Sequence, residues 1–283
     1  MVIRLTVVFY PSSSCSVFSW FDIYARSTCP FSCTDLKTLK SELKSPLTRL
    51  FNYSFANASF PAQWLESSLT FIHKKGSLSD PNNYRVINVN NALYKVYMSV
   101  VTNRLSIYAE SNNLLPALQF GFRKGRSTYG AAALLHEVIY SRLQNKLRTY
   151  ICYIDFKKFF DFINRNLLLT KLQRLGIPVQ YCKVFCDAWS GMKCFLKDSE
   201  KFSCSFTPTI GTSQGCVSAA ILASFFISDL PDCLLPVCPV ISSNYRVSGI
   251  FFADDLALLA TTQKICNVNL MYFMHIVKRT NLL

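Results

Sequence analysis

Acidic residues are scarce in this sequence. Its 283 residues hold 16 Asp and Glu against 30 Lys and Arg, a formal charge of +14. Such an imbalance favours a polyanionic partner, nucleic acid ahead of a membrane surface, although a merely basic protein carries the same count. Histidine is scarcer still, with three. The twelve cysteines are scattered, and the closest sets (Cys29/Cys33, Cys182/Cys186, Cys233/Cys238) have neither the Cys-x-x-Cys pairs nor the paired histidines of a zinc site. Long apolar runs are missing too. The longest, residues 217–227, is interrupted by Ser218 and Ser224 and is too short to span a bilayer, which leaves a basic membrane-associated protein without its anchor. The first ten residues carry one Arg and a brief apolar run, short for a signal sequence, so reduced thiols and an intracellular setting, nucleus or cytoplasm, are expected. Core-forming residues are plentiful: 51% of the chain is hydrophobic and 14% aromatic, enough for one large domain or two subdomains and not a disordered chain.

Against this scarcity of acids, two adjacent aspartates stand inside an apolar stretch, Phe251-Phe252-Ala253-Asp254-Asp255-Leu256-Ala257-Leu258-Leu259-Ala260. Residues 245–250 alternate as a half-buried strand does, and residues 256–262 read as a second strand, so the aspartates fall at the turn of a hairpin. Carboxylates walled by apolar side chains cost several kcal/mol unless they reach water, a partner or a cation. A solvated Asp-Asp turn satisfies that requirement as well as a metal site does. A metal site needs a third carboxylate, and Tyr150-Ile151-Cys152-Tyr153-Ile154-Asp155-Phe156 offers one at the end of a β-branched and aromatic strand. Paired beside the hairpin, that strand would bring Asp155, Asp254 and Asp255 to one sheet edge. Hard divalent cations such as Mg²⁺ prefer oxygen ligands of this kind.

The two stretches resemble motifs A and C of reverse transcriptases, especially those of non-LTR (LINE-type) retrotransposons. The motif A match is Asp155-Phe156-Lys157-Lys158-Phe159-Phe160-Asp161, and the motif C match is Phe252-Ala253-Asp254-Asp255. The resemblance continues along the chain. Residues 69–76 read as a strand running into Lys74, Lys75 and Gly76, and after the turn at Asp80-Pro81 a second strand begins with Tyr84-Arg85-Val86. A solvated basic loop is the plain reading of those cations; the resemblance implies that Lys74, Lys75 and Arg85 hold the incoming nucleotide's phosphates. Gln119-Phe120-Gly121-Phe122-Arg123-Lys124-Gly125-Arg126-Ser127-Thr128 alternates glycine, aromatic and base. In the family such a string follows the template path, with Arg123, Lys124 and Arg126 tracking phosphates. Ile210-Gly211-Thr212-Ser213-Gln214-Gly215 resembles motif B, in which Gln214 and Gly215 lie beside the nascent base pair. The resemblance implies that Phe160 rejects a 2′-hydroxyl, while two core phenylalanines are the plain reading of Phe159 and Phe160. The sequence departs from the family at Val86, where proline is usual, at Phe159, where alanine is usual and two large rings crowd together, and at Ala219-Ala220, where Ser-Pro is usual.

The implied fold is α+β: the fingers and palm of a right-hand polymerase, with an antiparallel palm sheet backed by helices and no thumb. Residues 1–35 are unassigned, 36–149 read as fingers-like, 150–263 as palm-like, and 264–283 as an unassigned tail. The helical lead-in carries Leu36, Leu39, Leu43, Leu47 and Leu50, with Pro46 expected to break or restart it. Further helices are expected from Asn90 or Asn91, from Ser127 or Thr128, from Asn166, and over 219–230. The implied reaction joins a dNTP to a DNA primer 3′-hydroxyl on an RNA template, using two Mg²⁺ ions, with Mn²⁺ as a substitute. Asp155 and Asp254 would be the principal ligands, joined by the backbone carbonyl of Phe156, with Asp255 more peripheral. Activity is expected to be reduced without a thumb. A catalytically inactive relic that binds nucleic acid and a group II intron maturase-like polymerase are the alternatives.

Overall fold

A computed structural model of the chain describes residues 40–156, 158–198, 201–202, 204–235, 238–242 and 245–279. In chain order the strands are β1 (Glu66–His73), β2 (Tyr84–Asn90), β3 (Tyr150–Ile154), β4 (Lys193–Asp198), β5 (Lys201–Phe202), β6 (Val240–Ser242), β7 (Tyr245–Arg246), β8 (Gly249–Phe252) and β9 (Asp255–Ala260). The longer helices are Lys40–Asn57, Ala92–Ser111, Thr128–Gln144, Arg165–Arg174, Val179–Gly191, Ala219–Phe226 and Gln263–Arg279. The mixture is the α+β arrangement expected. Two compact units form, each from two stretches: the described residues of Met1–Leu105 with Leu172–Ala219, and those of Ser106–Lys171 with Ala220–Leu283.

The first unit is held by aromatic packing. Phe51 meets Tyr97 and Trp64 edge-on at 5.4 and 5.8 Å, Phe60 meets Tyr97 at 5.2 Å, and Phe55 meets Tyr181 at 5.2 Å. Such edge-to-face pairs add about 0.5–1.5 kcal/mol each beyond the area they bury. Phe51 and Phe55 are four residues apart, so they share one face of the helix Lys40–Asn57. That helix passes through Pro46, contrary to the expected break. The proline is exposed in the second turn, where the hydrogen bond it cannot make faces solvent, and the buried Phe51–Phe55 face holds the helix together. Leu36, Leu39 and the unassigned residues 1–35 lie outside the described residues. The sheet runs β2-β1-β4-β5, with β1 antiparallel to β2 and parallel to β4.

The second unit carries a three-stranded antiparallel sheet in the order β3-β9-β8. Its central strand β9 is apolar and buried from Leu256 to its end. Ile250 and Leu259 pack with Val247 against Ala131 and Val138 of the helix Thr128–Gln144. The helix Gln263–Arg279 packs on β3 and β9, and its Phe273 lies 5.5 Å from the ring of Phe156. That helix fills most of the tail whose role was unreadable in the sequence.

The caps follow side-chain chemistry. Asn91 Oδ1 accepts from the Leu93 amide at 2.9 Å, and Ser127 Oγ accepts from Gly130 at 3.1 Å. The helix Arg165–Arg174 is capped by Asn164, whose Oδ1 accepts from Leu167 at 3.0 Å; the expected Asn166 is two residues too late. The helix Ala219–Phe226 ends before residue 230, where the Ser228 hydroxyl turns back to the Phe225 carbonyl at 2.8 Å.

Tyr97 and Tyr181 are buried in the first unit, and burial pushes both phenols up, Tyr181 to about 12. The folded state then keeps protons that the unfolded chain gives up near pH 10. This contribution is fully present below pH ~10 and is lost as pH rises towards the folded value. Among the described residues the Tyr181 hydroxyl has no hydrogen-bond partner. We expect Tyr181→Phe to leave unfolding free energy at pH 7 within about 1 kcal/mol of the parent or above it, and to extend the alkaline limit. Urea melts at pH 7 and pH 10.5 check this; a clear loss at pH 7 would refute it.

Candidate active site

The site begins with strand register. Ile154 of β3 pairs with Leu256 of β9, so one further step along both strands brings Asp155 beside Asp255. On the other side of β9, Phe252 pairs with Asp255, which leaves Ala253 and Asp254 as a two-residue turn. All three candidate carboxylates therefore sit at one end of one sheet. Asp155 and Asp255 are exposed and line one concavity with Tyr153, Phe252, Ala131 and Leu135. Asp254 is half-buried. Burial pushes its carboxyl above the ordinary aspartate value, its own backbone amide opposes the shift, and the negative charges of Asp255 and Asp155 add to it.

Among the described residues no three Asp, Glu, His or Cys side chains are gathered closely enough to cage a metal ion alone. The donor chemistry nevertheless fits a hard divalent cation. Mg²⁺ is commonly held by one or two carboxylates, with water and substrate phosphates completing its shell, so a closed protein cage is not required. Phe156 follows Asp155, and its ring is buried against Phe159 at 5.2 Å. Phe159 is itself buried and also meets Phe226 at 6.4 Å, so it belongs to the core and does not crowd the concavity. Phe160 is half-buried, with its ring 5.5 Å from Phe159 and 6.2 Å from Phe122. Lys157 lies outside the described residues.

In the first unit, β1 and β2 extend as an exposed ribbon with Ile72 paired to Arg85 and His73 to Tyr84. Its loop is folded and not merely solvated. The Lys74 amide donates to Asn83 O at 2.8 Å, Asn83 Nδ2 donates to Ser77 O at 2.9 Å, and the Tyr84 hydroxyl donates to Leu78 O at 2.8 Å. Lys74, Lys75 and Arg85 are all exposed on it. Gln214 and Gly215 pack on β2: the Asn88 amide donates to Gln214 O at 2.7 Å, and a Cβ at Gly215 would stand 2.7 Å from Asn88 O. With φ at +102°, that position suits glycine alone.

Within the string 119–128 the cations differ in their protein partners. Arg123 is half-buried and forked onto Glu110, with Nε and Nη2 donating to the two carboxylate oxygens at 2.7 and 2.6 Å. Its Nη1 donates to Pro116 O at 2.6 Å and Gln119 O at 3.3 Å. The hydrogen bond from Arg123 holds Glu110 below the ordinary carboxylate range. Arg126 donates to Ala117 O and stacks its cation over Phe120, 5.3 Å from the ring centre. Lys124 is exposed. Gln119, which merely opened the string in sequence, is buried and hydrogen-bonded to the Ala253 backbone. Nothing in the string separates a side chain that reaches for backbone from one that reaches for a base.

The profile of a family described as reverse transcriptase (RNA-dependent DNA polymerase) matches residues 72–282, three quarters of the chain. The chain belongs to the reverse transcriptase family. It is 28% identical over 233 residues to the probable RNA-directed DNA polymerase from transposon BS of Drosophila melanogaster, covering 82% of this chain and 25% of that protein. The RNA-directed DNA polymerase from mobile element jockey of the same organism is 28% identical, with 81% and 25% covered. The chain thus spans about a quarter of the length of these curated relatives. Among solved structures, apo telomerase from Candida tropicalis, truncated from its C-terminal domain, superposes with a TM-score of 0.55 at 13% identity, covering 87% of this chain and 53% of that one. Telomerase from Candida albicans in complex with a fragment of telomeric RNA gives 0.53 at 13%, covering 85% and 46%. The fold is that of the right-hand polymerases. Among the described residues no helix of this reverse transcriptase chain is long and apolar enough to cross a membrane.

The departures from the family pattern are absorbed locally. Val86 is exposed on the ribbon opposite Phe71, and the turn before Ala219 closes through Cys216 N to Ser213 O at 3.0 Å and Ala219 N to Cys216 O at 3.1 Å, without a proline.

Because the Asp254 carboxyl is pushed up in the folded chain, its ionised form opposes folding at neutral pH. We expect Asp254→Asn to raise the melting temperature at pH 7. The gain should shrink as pH falls through the raised value, since the neutral parent carboxyl then resembles the amide. Mg²⁺ should stabilise the parent more than the variant. Scanning calorimetry at pH 7 and pH 4.5, with and without Mg²⁺, decides; a variant melting below the parent at pH 7 would contradict this account.

Proposed function

We propose that this chain supplies the nucleotidyl-transfer centre of a non-LTR retrotransposon reverse transcriptase, extending a DNA primer on an RNA template with dNTPs. The observation that carries the reading is the register of β3 on β9, which sets Asp155 beside the hairpin that holds Asp254 and Asp255. In the reaction the primer 3′-oxygen bonds to the α-phosphorus, the bond to pyrophosphate breaks, and the hydroxyl proton leaves to solvent. Two divalent ions at such a site would stabilise the attacking and leaving oxygens.

Asp155 and Asp254 are the principal ligands in this reading, with Asp255 and the Phe156 carbonyl as further oxygens. Asp254, half-buried beside two acids, has the most to gain from a neighbouring cation. Lys74, Lys75 and Arg85 hold the triphosphate from the ribbon, Arg by paired donors and Lys as point charges. Phe160 blocks a 2′-hydroxyl, its ring backed by Phe159 and Phe122. Gln214 offers donor and acceptor beside the nascent pair, and Gly215 admits close approach. Lys124 tracks backbone phosphates, while Arg126 and Arg123 contribute field from positions already engaged with protein. A second reading, nucleic-acid binding without chemistry, draws on the absence of a ready carboxylate cage among the described residues.

Two measurements separate these readings. Primer extension on an RNA template with dNTPs and Mg²⁺ should give added nucleotides that Asp254→Ala abolishes and that rNTPs do not support. A chain that binds template and primer yet adds nothing would favour the second reading. Filter binding to RNA across a salt series should give a log–log slope that falls by about 0.7–0.9 for each of Lys74→Ala, Arg85→Ala and Lys124→Ala. Slopes unmoved by all three would remove those residues from the interface.

A further inference from the structure

A hairpin turn that aims a catalytic carboxylate needs something to hold its shape, and here the two turn residues offer little themselves. Ala253 sits at φ +58°, a region alanine seldom occupies and one that persists only when the surroundings enforce it. The enforcing group is Gln119. Its Oε1 accepts from the Ala253 amide at 3.1 Å and from the Gly121 amide at 2.9 Å, and its Nε2 donates to Ala253 O at 3.2 Å. One buried side-chain amide, 1% exposed, thus grips both backbone groups of the residue immediately before Asp254.

The grip is anchored on all sides. Leu118 and Phe120 flank Gln119 and pair with β8: the Phe120 amide donates to Phe251 O at 2.8 Å, and the Phe251 amide donates to Leu118 O at 2.9 Å. Gly121 lies so close that a Cβ there would stand 2.1 Å from the Ala253 nitrogen. From behind, the Arg123 guanidinium, fixed by Glu110, donates to the Gln119 carbonyl. A continuous path of hydrogen bonds therefore runs from Glu110 through Arg123 and Gln119 to the turn.

We infer that Gln119 is the positioning residue of the Asp254–Asp255 turn, fixing Ala253 in its left-handed conformation so that Asp254 is held within electrostatic reach of Asp155 and Asp255. Its importance for catalysis rests on the reading of those aspartates as metal ligands; its hold on the turn does not. The segment 119–123 then acts chiefly as a clamp on the site, with its first residue buried beneath the turn.

The test uses the 283-residue chain and two readouts. The first is amide hydrogen exchange at Ala253. In the parent this amide is protected, and in Gln119→Met, similar in length but without either polar atom, its exchange should accelerate about tenfold or more while the amides of β9 keep parental protection. Gln119→Glu keeps the acceptor for the Ala253 amide but loses the donor to Ala253 O, and should restore only part of the protection at Ala253. The second readout is Mn²⁺ binding followed by electron paramagnetic resonance, which should weaken about tenfold in Gln119→Met. If Gln119→Met loses protection throughout β9, Gln119→Asn, one methylene too short to bracket Ala253, takes its place with the same expectation. Parental exchange at Ala253 in the folded variant overturns the proposal. A parent that binds no Mn²⁺ while the exchange difference holds overturns the metal-site reading and leaves the clamp standing.

Discussion

The structure depends on one constraint at strand β9. From Leu256 onward the strand is buried on both faces, between the helix Thr128–Gln144 side of the sheet and the helix Gln263–Arg279. Each large apolar side chain it buries contributes about 1.5–3 kcal/mol. A carboxylate within that span would cancel several such contributions, so acids are tolerated only where the strand leaves the core. Asp254 and Asp255 stand at that exit, and β3 meets the same limit one residue after Ile154. Because β3 runs antiparallel to β9 with Ile154 opposite Leu256, the exits coincide. The convergence of acids follows from the packing and pairing of the strands as much as from the chemistry of the acids.

This part of the site was legible because it is written in local patterns. Alternation and β-branching marked β3, an apolar run broken by two acids marked the hairpin, and antiparallel pairing was the natural way to join them. The caps at Asn91 and Ser127 were legible for a related reason: a short polar side chain directly before an apolar periodic run has few other uses. The misplaced cap shows the limit of that argument. Asn164 and Asn166 are equally suited, and the choice falls to the chain's exit from the Phe159–Phe162 turn, which local sequence does not encode.

Pro46 and residues 264–279 were illegible for the opposite reason, since their outcome is set by distant partners. A proline in an isolated helix costs roughly 3 kcal/mol, enough to predict a break. Here Phe51 and Phe55 find Trp64, Tyr97 and Tyr181, all remote in sequence, and the helix survives. The tail matched no motif, yet Phe273 packs on Phe156 and Val277 is buried. Phe159 belongs here too. Its sequence left crowding beside Phe160 and a place in the core both open, and the partner that decides for the core, Phe226, lies 67 positions away.

The basic string 121–126 shows how cations that look alike in a charge count take different partners in the fold. Its two arginines and one lysine look equivalent in a tally that reaches +14 overall. In the fold they separate by donor geometry. The planar fork of Arg123 satisfies a carboxylate and two carbonyls at once, which a lysine ammonium on its single stem cannot do. Arg126 spreads its charge over the Phe120 ring and caps Ala117 O. Lys124, with no fork to exploit, stays in solvent. The same guanidinium geometry that suits phosphate suits carbonyl and carboxylate, so sequence alone cannot assign an arginine to either. What decides is whether the backbone nearby has carbonyls left over, and the non-helical turn from Pro116 to Gln119, paired to β8 on one side only, supplies them.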